Sequence, residues 1–192
     1  MGIDWTALIS CNQLASQSPI LSAITRVLVN EYIVPTVLGL LLLALWFSGD
    51  SVEYREQNQR AVLSAIAALV VANILVKLLN AVYLRPRPFA THTLTLLFYR
   101  PFDSSFPSNA AAVAFCVATS VWLFHRRVGL GMYVIALLFS LARMCSGVHY
   151  PSDILGGMAV GAFSGYVVAR KSEGLHTVWT MIIHQMRRLL LA

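Results

Sequence analysis

The chain has 192 residues, of which 58% are hydrophobic and only 11% are charged. Because a soluble domain carries about 25% charged residues, this composition excludes an ordinary water-soluble protein. It predicts one domain over residues 1–192 that lies in lipid. The net charge of +6 comes from single or paired basic residues between apolar runs. The sequence shows no stripe of basic residues with aromatic residues interleaved. The pattern argues against nucleic-acid binding and favours anionic lipid as the partner.

Five apolar stretches are long enough, or nearly so, to cross a hydrocarbon core, which needs about 20 helical residues. In chain order they cover residues 27–47, 61–83, 108–124, 129–146 and 151–169. We therefore predict an all-α fold, a polytopic membrane helix bundle with five to six transmembrane helices. Glu31 lies near the beginning of the first stretch and is interpreted as a helix cap.

Two further segments flank this bundle and are predicted to lie along the membrane surface. Residues 4–24 mix apolar side chains such as Trp5 and Leu8 with polar ones such as Asn12, which is typical of an amphipathic interfacial helix. Residues 175–191 combine Trp179 with Arg187 in the same way. A sixth span at either end is the alternative.

The basic residues of the short loops predict the orientation of the bundle. With five crossings, three pairs fall on one side, which the positive-inside rule assigns to the cytoplasm: Arg55 and Arg60, Arg126 and Arg127, Arg170 and Lys171. The opposite side holds the long loop 84–107, which carries Arg85, Arg87 and Arg100. Since these three arginines lie on the side where the positive-inside rule predicts few basic residues, we expect them to have a function there. Binding an anion would be one such function.

The three cysteines show no metal-ligand spacing, and no chemistry is assigned to Cys11, Cys116 or Cys145. Cys116 and Cys145 lie in apolar segments, where a cysteine behaves as a small hydrophobic residue.

A first polar cluster begins with Lys77 in an apolar span and continues to Arg85-Pro86-Arg87-Pro88. An ionisable residue inside a membrane span indicates function by default, although Lys77 lies close enough to the helix end to reach the interface. The prolines hold the two arginines on a stiff extended segment, and the guanidinium fork suits phosphate oxygens.

A second cluster begins an apolar run with Pro107-Ser108, followed by Asn109 and Ala110. Ser108 is a good N-cap, and the next backbone amides would point out of the helix end. Such an end binds anions, and a plain cap is the alternative.

The third cluster places Arg143, His149 and Asp153 at gaps of six and four positions. Pro151 suits the first position of a helix, so that Asp153 falls in its first turn, within reach of His149. A carboxylate that binds one imidazole nitrogen fixes the tautomer and leaves the other nitrogen free to attack. The alternative is a helix-capping aspartate beside an interfacial histidine.

Together the clusters resemble the signature of the type 2 phosphatidic acid phosphatase superfamily, the membrane lipid phosphatases related to vanadium haloperoxidases. That signature is a Lys leading to Arg-Pro, then Pro-Ser-x-His, then Arg-x5-His-x3-Asp. The third element is complete here, and the resemblance extends from about Lys77 to Asp153. The short length and the Arg-Pro-Arg-Pro-Phe run are most similar to bacterial undecaprenyl-diphosphate phosphatases. The resemblance implies a multi-pass protein of the bacterial inner membrane whose site faces the periplasm or the cell exterior.

The resemblance also implies roles for the matching residues, without a metal or another cofactor. His149 would be the nucleophile that forms a phosphohistidine, and Asp153 would orient it. Arg87 is a candidate substrate contact. The phosphate of a membrane lipid would be bound by Lys77, Arg85, Ser108, Asn109 and Arg143.

Two departures from the signature occur, of which a helix end can absorb the first and only the second bears on activity. Seven residues separate Lys77 from Arg85, where six is commonest, and Ala110 occupies the place of the first histidine. Since alanine donates no proton, the general acid is missing and low activity is expected. Losing this acid should nearly abolish release of an alkoxide, whereas a phosphate monoester, with a second pKa of about 6, leaves more readily. Ala110 is either an engineered replacement or a natural variant.

Dephosphorylation of undecaprenyl diphosphate is the favoured function. The alternatives are a phosphatase for phosphatidic acid, phosphatidylglycerophosphate or lipid A, and a catalytically silent lipid-phosphate binder.

Overall fold

A computed structural model of the chain describes residues 2–171, 174 and 176–189. Every regular element of these residues is helical, which confirms the predicted all-α fold. The helices are α1 (Ile3–Gln17), α2 (Pro19–Leu28), α3 (Ile33–Phe47), α4 (Val52–Val82), α5 (Pro88–Thr91), α6 (Asn109–Phe124), α7 (Arg126–Cys145), α8 (Pro151–Lys171) and α9 (His176–Arg188).

Helices α4, α7 and α8 are each long and apolar enough to cross a membrane. Helices α2 and α3 meet the same test as a pair bent by 54°, and α6 is a shorter apolar helix. These elements match the five predicted stretches, while five to six crossings stays a prediction. The predicted run 27–47 is broken because the Asn30 side-chain oxygen accepts hydrogen bonds from the Tyr32 and Ile33 amides, at 2.9 and 3.3 Å.

The closest helix contact lies between α6 and α8, along a row of glycines on α8. A Cβ atom at Gly157 would lie 2.3 Å from the Ser108 carbonyl oxygen, and one at Gly161 would lie 2.2 Å from that of Ala112. Only glycine permits the two backbones to approach this closely. As a result, the beginning of α6 lies directly beside the beginning of α8, where the Ser108 amide donates to the Asp153 carbonyl oxygen at 2.9 Å.

Helix α1 is fixed to the end of the bundle that holds His149 and Asp153, called the site end below. Cys11 forms a disulfide with Cys145 at the end of α7. The neighbouring Asn12 side chain donates to the carbonyl oxygens of Thr95 and Cys145, at 2.8 and 2.9 Å. The interpretation of Cys145 as a small hydrophobic residue was therefore wrong, because the packing of α1 brings a second sulfur to it. Cys116 is buried and carries a free thiol.

The opposite end of the bundle gathers the beginning of α4, the α6–α7 junction and α9. The rings of Tyr54 and His125 lie 5.4 Å apart, and Arg187 of α9 pairs with Glu56 at 3.1 Å. The helices therefore run back and forth between the two ends. The long loop 83–108, which joins the end of α4 to the beginning of α6, lies at the site end.

Candidate active site

The end of α7 is built to hold an arginine and a histidine in a fixed relation. The Gly147 amide donates to the Met144 carbonyl oxygen at 2.9 Å, and the Val148 amide donates to that of Arg143 at 3.4 Å. This is a Schellman motif, and Gly147 adopts the φ of +83° that it requires. The turn explains the spacing of the third cluster, because it folds His149 back beside the last turn of the helix that carries Arg143.

A cavity of about 170 Å³ lies in front of this turn at the site end. Its walls include the turn before α3, the loop 83–108, the beginning of α6 and the end of α7. Of the predicted site residues, the cavity brings together Arg87, Asn109, Ala110, Arg143 and His149.

His149 is almost fully buried, and its two ring nitrogens have different surroundings. Nδ1 lies 3.0 Å from the carbonyl oxygen of Ser105, which can only accept, so Nδ1 carries the proton. Nε2 is then unprotonated, and its lone pair accepts a hydrogen bond from Nη1 of Arg87 at 3.2 Å. The neutral imidazole is thus oriented with its unprotonated nitrogen towards the guanidinium of Arg87.

Asp153 differs from the sequence-based expectation in how it reaches His149. Its Oδ2 is 3.9 Å from Nδ1, beyond hydrogen-bond distance, and instead accepts from the Ser105 hydroxyl at 2.5 Å and the Tyr150 amide at 2.8 Å. Asp153 therefore caps α8, the alternative considered above, and also holds the loop residue whose carbonyl group fixes the imidazole. Ser105 itself was missed, since a serine in a polar loop carries no distinctive signal.

The two arginines that line the cavity are both nearly buried, at 5% exposure for Arg87 and 6% for Arg143. Arg87 donates to the Val148 carbonyl oxygen at 3.0 Å and pairs with Asp103 at 2.8 Å. Arg143 donates to the Val29 carbonyl oxygen at 3.4 Å, while its buried Nε has no partner among the described residues. Because buried guanidinium donors need acceptors, this pair is suited to bind an anion.

Arg85 and Lys77 lie elsewhere, which differs from the prediction that both face the phosphate. Arg85 pairs with Asp153 at 2.5 Å and Asp4 at 2.9 Å, and Lys77 is exposed on α4. Arg87 has φ −74° and ψ 153°, the polyproline II conformation. With three residues per turn, residues two apart in such a segment point in different directions.

Because Arg87, and not Arg85, lines the cavity, the spacing of the first motif can also be counted from Arg87. If six residues are to lie between the lysine and Arg87, instead of Arg85, the lysine position is occupied by Asn80 and not by Lys77.

Helix α6 points its N-terminus into the cavity. Ser108 is the N-cap, and its hydroxyl oxygen accepts from the Ala111 amide at 3.4 Å. Asn109 and Ala110 line the cavity directly after it. The amide groups and the helix dipole add positive potential beside the two arginines.

The electrostatics of the site favour a neutral histidine. Burial lowers the pKa of His149 from 6.5 to about 4, with the Asp153 carboxylate opposing the shift and the charges of Arg143 and Arg87 adding to it. At neutral pH the ring is therefore unprotonated and able to act as a nucleophile.

An acidic residue of α1 contributes to this region and was not predicted. Besides pairing with Arg85, Asp4 accepts from the Ser152 amide at 3.0 Å and from the Ser152 hydroxyl. Burial raises the pKa of Asp4, but these hydrogen bonds outweigh it and the net shift is downward. Helix α1 is thereby bound to the first turn of α8.

Two more residues that the sequence did not single out for chemistry line the cavity. The Tyr99 hydroxyl donates to Glu31 Oε2 at 2.8 Å, and both side chains belong to the cavity wall. Glu31 was interpreted as a helix cap, but the capping oxygen belongs to Asn30.

The fold and the site define a polytopic helical membrane protein whose buried arginines, helix N-terminus and neutral histidine surround one anion-sized cavity. The sequence profile of the PAP2 superfamily matches residues 61–176. The chain belongs to the PAP2 superfamily, as its motifs predicted.

The chain is 31% identical over 170 residues to the undecaprenyl-diphosphatase BcrC of Bacillus subtilis, covering 88% of this chain and 84% of that protein. It is 34% identical to the bacitracin transport permease protein BcrC of Bacillus licheniformis, covering 68% and 62%. In fold it is similar to the crystal structure of Aquifex aeolicus LpxE, with a TM-score of 0.68 and 24% identity over 88% of this chain and 96% of the other. A Bacillus subtilis PAP2 type phosphatidylglycerolphosphate phosphatase gives a TM-score of 0.62 at 20% identity, covering 91% and 89%.

Proposed function

We propose that this chain dephosphorylates undecaprenyl diphosphate to undecaprenyl phosphate through a phosphohistidine. The observation that carries the proposal is the orientation of His149, whose Nε2 faces Arg87 in a cavity that Arg143 also lines. The similarity to a Bacillus subtilis undecaprenyl-diphosphatase supports this substrate.

The reaction begins when the Nε2 lone pair of His149 attacks the terminal phosphorus. As the phosphorus–oxygen bond to the lipid phosphate breaks, Arg87, Arg143 and the first amides of α6 stabilise the charge on the terminal oxygens. The Ser105 carbonyl group holds the proton on Nδ1 and stabilises the positive ring. Water then attacks the phosphohistidine, which releases inorganic phosphate and restores the imidazole.

Ala110 favours a diphosphate over a monophosphate as substrate. Without the proton of a histidine at this position, cleavage of a lipid monophosphate would have to expel an alkoxide, a poor leaving group, whereas cleavage of a diphosphate expels a phosphate monoester with a second pKa of about 6. We expect turnover lower than that of a chain with histidine here, since general acid catalysis contributes about 10²–10⁴-fold.

The site end is proposed to face the periplasm or the exterior of a bacterial inner membrane. The paired basic residues at the opposite end favour a cytoplasmic location for that end. The disulfide between Cys11 and Cys145 supports the same orientation, because disulfides persist in oxidising compartments.

Two other functions have support of their own. Similarity to lipid A 1-phosphatase of Rhizobium etli, 26% identical over 106 residues, favours a phosphatase for another lipid phosphate. Ala110 favours a binder that holds a lipid phosphate without turnover.

Phosphate release by the detergent-purified protein with a chelator present tests these functions. The substrates are undecaprenyl diphosphate, phosphatidic acid, phosphatidylglycerophosphate and lipid A, and the proteins are the chain itself, Ala110→His and His149→Ala. We expect release from undecaprenyl diphosphate, a gain in Ala110→His and none in His149→Ala. Binding without release by both the chain and Ala110→His would identify a binder and refute the enzyme.

A further inference from the structure

We propose that Glu31 replaces the missing histidine and gives the leaving group its proton. The inference rests on the proposed function, because it concerns the same cavity and the same reaction. It explains how a PAP2 site with alanine at position 110 can complete both halves of a phosphohistidine cycle.

Glu31 occupies a suitable place in the cavity. It lies in the turn between α2 and α3, in which the Asn30 side-chain oxygen accepts from the Tyr32 amide. It lines the same cavity as Ala110 and His149. Because the Ala110 side chain ends at Cβ, a longer acid on another wall has room to reach the leaving oxygen. The hydrogen bond from the Tyr99 hydroxyl orients one carboxyl oxygen, and the other has no hydrogen-bond partner among the described residues.

The remaining proton carriers of the cavity wall are less suited to the task. Asp103 is paired with Arg87 at 2.8 Å, so protonating it would break that ion pair. Burial and the neighbouring Glu31 raise the pKa of Tyr99, which makes the phenol a weaker acid. Arginine does not give up its proton in proteins. Among the wall residues, Glu31 is therefore the best-placed acid.

The charged groups of the cavity wall place a bound phosphate near Glu31. They are two cations, Arg87 and Arg143, and two carboxylates, Glu31 and Asp103. A phosphate anion that binds the two arginines therefore lies in the same cavity as the Glu31 carboxyl group.

In the first half-reaction, His149 Nε2 forms a bond to the terminal phosphorus while the bond from phosphorus to the bridging oxygen breaks. The electron pair goes to that oxygen, which takes the proton of Glu31, and undecaprenyl phosphate leaves. In the second half-reaction, the Glu31 carboxylate takes a proton from the water that attacks phosphorus. The bond from nitrogen to phosphorus breaks, and inorganic phosphate leaves with both residues restored.

The experiment compares Glu31→Gln with Glu53→Gln, an exposed glutamate at the opposite end of the bundle, in the otherwise unsubstituted chain and together with Ala110→His. In the otherwise unsubstituted chain, Glu31→Gln should lower kcat for undecaprenyl diphosphate by about 10²-fold, with little change in KM. This is the lower end of the range that general acid catalysis contributes. Glu53→Gln should match the unsubstituted chain.

With Ala110→His present, the new imidazole supplies the proton, so Glu31→Gln should lower kcat less than about threefold. An equal loss in both backgrounds would indicate a structural role and overturn the inference. So would equal activities of Glu31→Gln and Glu53→Gln, although the proposed function would stand. Turnover only in Ala110→His would overturn it too, since Glu31 would then not replace the histidine. No turnover in either background would overturn the proposed function and the inference together.

Discussion

At the scale of single residues, Arg85 and Arg87 show how one proline-rich segment serves two purposes. Arg87 lines the cavity beside His149, whereas Arg85 joins the Asp153 and Asp4 carboxylates. The position of Arg87 is suited to binding an anion. The ion pairs of Arg85 hold Asp153, which in turn holds Ser105, the residue whose carbonyl group fixes the imidazole. Their substitution should therefore have different consequences.

Replacing Arg87 by alanine should lower kcat/KM for undecaprenyl diphosphate by about 10²–10³-fold, because one donor to the transition state is lost. The protein should remain folded. Replacing Arg85 leaves Asp153 buried without its cation, and we expect a loss of about 2–3 kcal/mol in unfolding free energy. Thermal unfolding and phosphate release measure the two effects, with Arg100→Ala in the exposed loop as control. Equal effects of Arg85→Ala and Arg87→Ala on both measurements would contradict this division.

The low pKa of His149 makes stability depend on pH. The native ring binds a proton only near pH 4, whereas the unfolded ring does so near 6.5. Between these values the unfolded state binds more protons, so stability falls as pH falls through this window. The loss should be on the order of 2–3 kcal/mol and should be absent from His149→Gln. Thermal unfolding of both proteins at pH 7, 6, 5 and 4 measures it, and parallel curves would refute it.

At the scale of helices, hydropathy predicted α4, α6, α7 and α8 well because each contains a long apolar run. Ser51 and Ser108 cap the beginnings of α4 and α6, and Pro151 begins α8. It missed the break after α2, since one hydrogen-bonding asparagine barely changes the hydropathy of the run. The disulfide was also beyond prediction, because it joins residues 134 positions apart through the docking of α1. The site followed a similar division: the spacing of Arg143 and His149 reflects a local turn, while Ser105, Asp4 and Glu31 reach the site only through tertiary packing.

The glycine row of α8 yields a prediction about how the elements position the site. Gly161→Ala places a methyl group 2.2 Å from a backbone oxygen of α6, which neither helix can avoid without separating. We expect a loss of about 1–3 kcal/mol, as in overpacked cores, together with reduced activity because the beginning of α6 lines the cavity. Thermal unfolding and phosphate release would show both effects.

The matched control is Gly131→Ala on α7, where an added Cβ meets no atom within 4 Å. Alanine favours a helix over glycine, so this variant should be as stable as the unsubstituted chain or more so by about 0.5–1 kcal/mol. If both glycine variants behave alike, close packing of α6 and α8 does not position the site.

At the scale of the whole molecule, the two ends of the bundle differ in charge and in chemistry. The opposite end carries paired basic residues near Tyr54 and His125, whereas the site end carries the disulfide and most of its arginines are paired or buried. Basic residues in short loops are retained in the cytoplasm, and a disulfide persists outside it. Both features favour an outward-facing cavity, so that phosphate would be released outside the cytoplasm.

Cysteine labelling in intact bacteria tests this orientation. Phe102→Cys introduces a thiol on the fully exposed site-end loop, and Glu53→Cys introduces one at the exposed beginning of α4. A membrane-impermeant maleimide should label only Phe102→Cys in intact cells and both variants after the membrane is disrupted. The native thiols should add little background, because Cys116 is buried and the other two are joined. Labelling of Glu53→Cys alone in intact cells would reverse the orientation. The cavity would then face the cytoplasm, where a reducing environment disfavours the disulfide that fixes α1.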